Sequence, residues 1–406
     1  MTDALVTGLG VVSPTGLGTD AFWSATVEGR SAIGPVTRFD ADRYPARLAG
    51  EIAGFVAEDH LPGRLIPQTD RMTRLALVAA DWALDDAGID PAADHAAFDM
   101  GVVTASSSGG FEFGQNELRK LWSQGGQYVS AYQSFAWFYA VNSGQISIRN
   151  GMKGPSGVIV SDQAGGLDAL AHTRRLIRKG TPLIVSGGVD AALCPWGWVA
   201  QLASDRLTTS DAPDSAYLPF DKDASGHVPG EGGAILLVED AVSARGRGVT
   251  GYGVIAGYGA SFDPRPDSGR EPGLRYAIEV ALTDARVTAD QVDVVFADAA
   301  GLPELDRVEA DALAAVFGPG AVPVTAPKTT TGRLGSGGAP LDLAGALLAL
   351  RHGVIPPTVH VRPDPGYRID LVTGAAREVA LRTALVVARG YGGFNSAVVV
   401  RRAEPS

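Results

Sequence analysis

The sequence predicts an α/β protein built from two related halves. Short β-branched runs alternate with helix-spaced apolar segments, and a composition of 45% hydrophobic residues, 7% aromatic residues and 52 glycines suits many close turns. The stretch ALDDAGIDPA (83–92), which leads into a strand, is echoed by ALTDARVTAD (281–290). The strand-turn-helix segment 157–180 is echoed in the same order by 322–353. A loose repeat that keeps its order indicates duplicated βα halves.

The two halves meet near residues 238–253, a charged and glycine-rich connection. We therefore place the N-terminal half at 1–245 and the C-terminal half at 246–406. Such halves pack most simply as two sheets with helices between and outside them, a layered αβαβα arrangement. The equivalent loops of the two halves should then meet at one cleft. The loops expected there follow residues 160, 296, 327 and 389.

Charge and cysteine content exclude several classes of function. The chain has 406 residues, a formal net charge of −11 and a pI of about 5.0, so nucleic-acid or anionic-membrane binding is not expected. The single cysteine, Cys194, permits no internal disulfide and indicates a reducing compartment, and we interpret it as a buried packing residue. No basic region precedes the first apolar residues, and no apolar run is long enough to span a bilayer, so we expect a cytoplasmic protein.

The first elements follow ordinary patterns. Residues 4–12 predict a strand and turn whose two glycines suggest a dinucleotide loop. Ser13 and Pro14 replace the third glycine and interrupt the helix that such a loop needs, so nucleotide binding is not favoured. A helix follows at 73–88, ends at a glycine and leads into a strand at 100–106.

The segment 157–180 predicts a tight elbow. A β-branched run at 158–160 precedes a turn at 161–166, after which apolar residues recur near helical spacing. In α/β enzymes such an elbow lifts one side chain over a helix N-terminus, where backbone N–H groups can activate a nucleophile. The residue expected there is Gln163, whose neutral amide is no nucleophile. Gln163 is either a plain polar turn residue or the remnant of a nucleophilic site.

Four separate segments carry a family resemblance. Besides the elbow they are LPFDKDASGHVPGEGGAILLVE (218–239), PKTTTGRLGSGG (327–338) and GYGGFNSA (390–397). Together they resemble the β-ketoacyl synthases of the thiolase-like fold, over essentially the whole chain. The resemblance implies a cysteine at the elbow that accepts an acyl group, two histidines that assist decarboxylation of a malonyl carrier protein, and a supporting lysine.

Most of these catalytic residues are replaced. The cysteine position holds Gln163, the first histidine position Asp298 and the second Arg333, so Lys328 alone remains of the set. Arginine is a permanent cation that cannot shuttle protons at neutral pH, and aspartate would repel an enolate. We expect no intact catalytic residue, and a salt bridge between Asp298 and Arg333 in the space of the histidines.

Within that family the chain resembles the chain-length factors, or ketosynthase β subunits, of bacterial type II polyketide synthases. These are inactive ketosynthase homologues with glutamine at the elbow, and the stretches at 108–113 and 134–149 look typical of them. The resemblance implies a heterodimer with a cysteine-bearing ketosynthase α subunit, which performs the condensation. It implies no cofactor, because substrate arrives on the phosphopantetheine of an acyl carrier protein, and the histidines show no metal-binding spacing.

The helix expected at 111–118 places Phe111, Gly114 and Leu118 on one face. In the resembled family this region lines the tunnel at the subunit interface, and bulky side chains there end it early. Glycine at 114 and leucine at 118 predict a roomy tunnel for a decaketide-like or longer poly-β-keto chain, with Phe111 in its wall. The alternative is that this face is ordinary core.

Two further groups of residues are candidate contacts. Phe135, Trp137, Phe138 and Tyr139 place four aromatics in five positions, more than one helix face can bury in its own subunit, and predict a partner interface. The backbone N–H groups of Gln163 and Tyr391, with the Gln163 amide, could still bind a carbonyl.

The sequence therefore predicts a non-condensing subunit of a polyketide synthase that pairs with a ketosynthase and shapes the tunnel of the growing chain. Two alternatives stay open. One is a malonyl carrier-protein decarboxylase acting through Gln163, which predicts carbon dioxide release by the isolated chain. The other is a homodimeric acyl-binding protein, which predicts a stable homodimer without a partner.

Overall fold

The computed structural model describes residues 2–403. Its strands are β1 (Ala4–Ser13), β2 (Gly16–Leu17), β3 (Ile33–Pro35), β4 (Leu48–Gly50), β5 (Met100–Ala105), β6 (Ser156–Ile159), β7 (Leu183–Asp190), β8 (Gly232–Asp240), β9 (Gly253–Phe262), β10 (Val294–Phe296), β11 (Pro323–Thr325), β12 (Val354–Ile355), β13 (Asp370–Leu371), β14 (Arg377–Glu378), β15 (Thr383–Arg389) and β16 (Phe394–Arg402).

The helices are α1 (Thr19–Glu28), α2 (Arg71–Ala87), α3 (Phe111–Ser123), α4 (Gln133–Ala136), α5 (Val141–Arg149), α6 (Gly165–Arg178), α7 (Pro195–Leu202), α8 (Ala241–Gly246), α9 (Leu274–Ala285), α10 (Pro303–Phe317) and α11 (Gly338–His352). Within residues 2–403, none of these helices combines the length and the apolar character that a membrane span requires. The α/β class expected from the alternating patterns is confirmed.

The strand order shows the duplication directly. The main sheet runs β13-β11-β10-β15-β16-β9-β1-β8-β7-β5-β6, with β2 beside β1. In the first half β5 lies parallel to β6 and β7, and β7, β8 and β1 then pair antiparallel. In the second half β10 lies parallel to β11 and β15, and β15, β16 and β9 then pair antiparallel. Five strands of one half thus have counterparts in the other, as the sequence repeat predicted, whereas β2 and β13 have none.

The two sheets are joined rather than separate. Strands β1 and β9 pair over two residue pairs, Leu5 with Val254 and Val6 with Gly253. The charged connection expected at 238–253 lies between the two sets of strands and contains α8. The division into 1–245 and 246–406 stays an interpretation, because hydrogen bonds between β1 and β9 cross it.

The helices form three layers around these strands. Helices α6 and α11 contact strands of both halves, whereas α2 packs on β1 and β8, and α9 packs on β9 and β16. The two central helices approach closely, since a Cβ atom on Gly166 of α6 would lie 2.2 Å from Cδ of Pro340 in α11. This confirms the layered αβαβα arrangement and brings the loops at the ends of α6 and α11 together.

Candidate functional site

The elbow forms where the sequence predicted it. Strand β6 ends at Ile159, and α6 begins at Gly165. Between them Asp162 adopts φ 51°, a left-handed conformation that is uncommon for a residue with a Cβ atom. The Asp168 carboxylate fixes the turn from within α6, because it accepts hydrogen bonds from Ser161 Oγ (2.5 Å) and from the Tyr258 hydroxyl (2.7 Å). Gln163 therefore occupies a constrained position just before the first turn of α6.

The four expected loops converge on one cavity of about 600 Å³. Its wall includes both halves of the chain, with Gln163 from the elbow, Asp298 after β10, Arg333 before α11 and Tyr391 after β15. This confirms the cleft that the repeat predicted. Among the candidate residues, Phe111 of α3 lines the same cavity.

Asp298 and Arg333 form the predicted salt bridge. Arg333 Nη2 lies 2.8 Å from Asp298 Oδ1, and both residues are buried. Arg333 Nη1 also donates to the Asp298 carbonyl oxygen at 2.6 Å, and the Arg389 N–H donates to Asp298 Oδ1 at 2.8 Å. The pair fills the place of the two expected histidines with charges that satisfy each other.

Lys328 takes part in the same network. Its Nζ lies 2.7 Å from Asp342 Oδ2 and donates to the carbonyl oxygens of Ala297 (2.7 Å) and Asp298 (3.1 Å). Burial raises the pKa of Asp298, but the positive charges of Arg333 and Lys328 outweigh burial, so that its pKa lies below the ordinary value. Asp298 is therefore a carboxylate at neutral pH and is no proton donor.

The pKa values of two neighbouring carboxyl groups, Glu309 and Asp306, are raised, whereas that of Asp298 is lowered. Burial raises the pKa of Glu309 to about 7, and the Asp298 charge adds to this effect. Burial likewise raises the pKa of Asp306 to about 7. Both accept backbone hydrogen bonds, Glu309 from the N–H groups of Asp298 and Ala299 at 2.7 and 2.8 Å. They support the loop that carries Asp298.

One predicted backbone donor is already occupied. The Tyr391 N–H donates to Asp162 Oδ2 at 2.7 Å, which joins the elbow to the loop after β15. The expectation that this N–H group is available for a carbonyl is wrong, because the carboxylate of Asp162, the left-handed residue of the elbow, is its acceptor. The role of the Gln163 N–H stays a prediction.

The cavity also contains residues that the sequence analysis did not identify. His227 lies in its wall, and burial, reinforced by the Arg333 charge, lowers its pKa to about 3, so that it is neutral. Arg206 stacks over the Tyr391 ring at 4.7 Å. His227 belongs to the motif at 218–239, which was a usable signal; Arg206 follows α7, where no motif pointed to the cavity.

Helix α3 places Phe111, Gly114 and Leu118 on one face, as predicted, but the space beside Gly114 is not open. A Cβ atom on Gly114 would lie 3.0 Å from Cζ3 of Trp196, whose ring stacks on Phe111 with centroids 4.7 Å apart. Leu118 is exposed. The prediction of open space beside Gly114 is therefore wrong, because Trp196 of the distant helix α7 fills that space.

The aromatic segment divides between surface and core. Trp137, Phe138 and Tyr139 are each at least 40% exposed. Phe135 is partly buried against the core cluster that contains residues of α2, and its role at an interface stays a prediction. Cys194 is buried as expected, and burial raises the pKa of its thiol to about 11.

Family models match most of the length of the chain. The model of the beta-ketoacyl synthase N-terminal domain matches residues 1–243, and that of the C-terminal domain matches residues 252–362. The chain is 62% identical over 404 residues to the actinorhodin polyketide putative beta-ketoacyl synthase 2 of Streptomyces coelicolor, covering 99% of both chains.

Two further matches agree with these. The chain is 60% identical over 401 residues to the tetracenomycin polyketide synthase ketoacyl synthase beta subunit of Streptomyces glaucescens, covering 98% of each chain. Among solved structures, the ishigamide ketosynthase/chain length factor superposes with a TM-score of 0.88 at 25% sequence identity. That match covers 99% of this chain and 100% of the other.

Proposed function

Because the chain belongs to the β-ketoacyl synthase family, among its polyketide ketosynthase β subunits or chain-length factors, we propose that it is the non-condensing subunit of a type II polyketide synthase. It forms a heterodimer with a ketosynthase α subunit and helps to set the length of a poly-β-keto chain. The α subunit supplies the cysteine, and malonyl units arrive on the phosphopantetheine of an acyl carrier protein. We also propose a cytoplasmic location, which suits the single cysteine.

The buried pair of Asp298 and Arg333 carries this proposal. A condensing site needs a nucleophile at the elbow and neutral groups that donate hydrogen bonds to an enolate. Here the elbow presents Gln163, and the pair places a carboxylate and a permanent cation that already satisfy each other. The elbow therefore has no nucleophile, and neither Asp298 nor Arg333 can exchange a proton near neutral pH.

Two exposed surfaces support the proposal that a partner subunit binds. Trp137, Phe138 and Tyr139 form an exposed aromatic patch, and aromatic residues are enriched in the buried centres of interfaces. Strand β6 is the last strand of the main sheet, so one side of its backbone faces outward. The patch and the strand edge would both be covered by an obligate partner.

A catalytic assay tests the loss of condensing and decarboxylating chemistry. The purified chain, given malonyl carrier protein, should release carbon dioxide only at the background rate, and Gln163→Ala should change nothing. Co-expressed with a cysteine-bearing ketosynthase, it should yield a long polyketide by mass spectrometry. Carbon dioxide release by the chain alone that disappears in Gln163→Ala would identify a decarboxylase instead. A stable homodimer without polyketide from the pair would identify an acyl-binding protein.

Substitution on α3 tests the chain-length role. Leu118→Trp adds bulk on the exposed face shared with Phe111, so the co-expressed pair should make a product shorter by at least one ketide unit. Gly114→Trp should act in the same direction, but only by displacing Trp196, and with a larger loss of yield. The measurement is the product mass per amount of soluble pair.

Asn116→Trp provides the matched control for these substitutions. Asn116 is exposed on the same helix but points about 140° away from Phe111, at 100° per residue. Product length should be unchanged in this variant. Equal shortening by Asn116→Trp, or unchanged length in Leu118→Trp, contradicts the proposed tunnel wall.

A further inference from the structure

Asp70 joins the N-termini of two helices. Its side chain is buried, Oδ1 accepts the Met72 N–H of α2 at 2.8 Å, and Oδ2 accepts the Phe113 N–H of α3 at 2.8 Å. The first four N–H groups of a helix have no partner within the helix, so each bond satisfies a group that would otherwise be unpaired. One carboxylate therefore caps α2 and connects α3 to it.

The two helices differ in how firmly they are held. Helix α2 lies against β1 and β8, and most of its length is buried. Helix α3 is buried at Gly114 and Glu117 but leaves Leu118, Leu121 and Trp122 exposed. A rigid helix thus anchors one whose second half makes few contacts within its own subunit.

The polar contacts between α3 and the rest of the subunit lie in its first half, where Glu117 Oε2 accepts the Ser130 N–H at 2.6 Å. Arg38 Nη2 donates to both carboxylate oxygens of Glu112 at 2.9 and 2.8 Å. Gln115 Oε1 accepts the Trp196 N–H at 2.7 Å. Among these side-chain contacts, that of Asp70 reaches the backbone of α3, so it constrains the position of the helix axis, together with the N–H of the N-cap residue Gly110, which donates to the Trp137 carbonyl at 3.1 Å.

The geometry of the site needs two acceptor oxygens on one side chain. Burial raises the pKa of Asp70 to about 7, so keeping the group charged in this position is unfavourable. The two N–H donors oppose that shift, since a carboxylate accepts hydrogen bonds on both oxygens. Asparagine would offer one acceptor oxygen. Serine could cap α2, but its single hydroxyl on a shorter side chain could not also accept the Phe113 N–H.

We propose that Asp70 is a positioning residue for chain length. By fixing the start of α3 on α2, it sets where Phe111 and Leu118 stand relative to the sheet, and thereby where the growing chain stops. This inference rests on the proposed function. It assigns to Asp70 no contact with substrate, and its effect is on the distribution of product lengths.

The test compares Asp70→Ser and Asp70→Asn in the co-expressed pair with the unmodified pair. Serine keeps the cap of α2 and loses the bond to Phe113. The ratio of the main product to its neighbours in length should fall roughly tenfold in both variants, as loss of one hydrogen bond to a charged group allows. Lengths are read by mass spectrometry and normalised to soluble pair.

Asp240→Ala is the matched control. Asp240 caps α8 by accepting the N–H groups of Val242 and Ser243 at 2.8 and 3.0 Å, and α8 packs on β1 and β8. Alanine removes this cap, so the variant should lower stability without changing the product ratio. An equal change in Asp240→Ala would overturn the inference, because any loss of a cap would then suffice.

The remaining outcomes separate this inference from the proposed function. If Leu118→Trp shifts product length while both Asp70 variants keep the ratio, the inference is wrong and the proposed function stands. If Leu118→Trp also leaves length unchanged, the proposed function fails and the inference with it. If neither Asp70 variant yields soluble pair, Asp70 is needed for folding rather than for positioning, and the inference is wrong.

Discussion

Val158→Pro in strand β6 should strongly weaken association with the ketosynthase partner. The Val102 N–H donates to the Pro155 carbonyl at 2.9 Å, and the Ser106 N–H donates to the Ile159 carbonyl at 3.1 Å. Residues 155 and 159 thus face β5, and because backbone groups alternate along a strand, the N–H of Val158 faces outward. Proline at 158 removes an outward donor and leaves the bonds to β5 in place.

The size of the expected loss of affinity follows from what proline changes at the edge of strand β6. Proline lacks the N–H that an added strand would use, and its ring blocks close approach of that strand. We expect the dissociation constant for the partner to rise by roughly 100-fold or more. Titration of the purified chain with the partner, read by analytical ultracentrifugation, measures this.

Val158→Thr is the control for this substitution. Threonine keeps the backbone N–H and the β-branched shape, so affinity should stay within roughly threefold of the original. Circular dichroism should show the same folded chain in both variants. Unaltered binding by Val158→Pro would mean that the partner does not add a strand to this edge, and that the aromatic patch alone carries the interface.

The sequence predicted the features that depend on the order of elements. The repeat placed the elbow opposite the loops after β10, β11 and β15, because equivalent strand ends of duplicated halves converge. The pairing of Asp298 with Arg333 followed from two opposite charges in one buried cleft. Each of these inferences needed only the fold and the residue types.

The sequence did not reveal which side chains fill a given space. Gly114 indicated an opening on α3, yet Trp196 comes from α7, more than 80 residues later, and periodicity within α3 cannot show it. Tyr391 lost its predicted role for a similar reason: its N–H meets Asp162, whose left-handed conformation turns the carboxylate toward that loop. Such contacts arise from packing between distant segments.

Arg333→Met should be the most destabilising single change at the altered site. It leaves Asp298 buried without its main counter-charge, which costs about 3–5 kcal/mol of unfolding free energy. The double variant Asp298→Asn, Arg333→Met should recover most of that loss, because no uncompensated charge is left. Urea unfolding of the purified chain, followed by tryptophan fluorescence, measures both values.

The exposed pair of Arg30 and Glu28, 2.7 Å apart, gives the matched comparison. Arg30→Met should leave the free energy of unfolding nearly unchanged, since surface ion pairs contribute little.

The pH dependence identifies the cause of the loss in Arg333→Met. Without Arg333, burial should raise the pKa of Asp298 above its unfolded value, so that the folded variant binds an extra proton. Binding of this proton stabilises the folded variant at low pH. The stabilisation is lost as pH rises through the raised pKa of Asp298. The deficit of Arg333→Met relative to the original chain should therefore shrink between pH 8 and pH 6. A deficit that does not change with pH would mean that lost packing of the arginine side chain, and not an unpaired carboxylate, destabilises the variant.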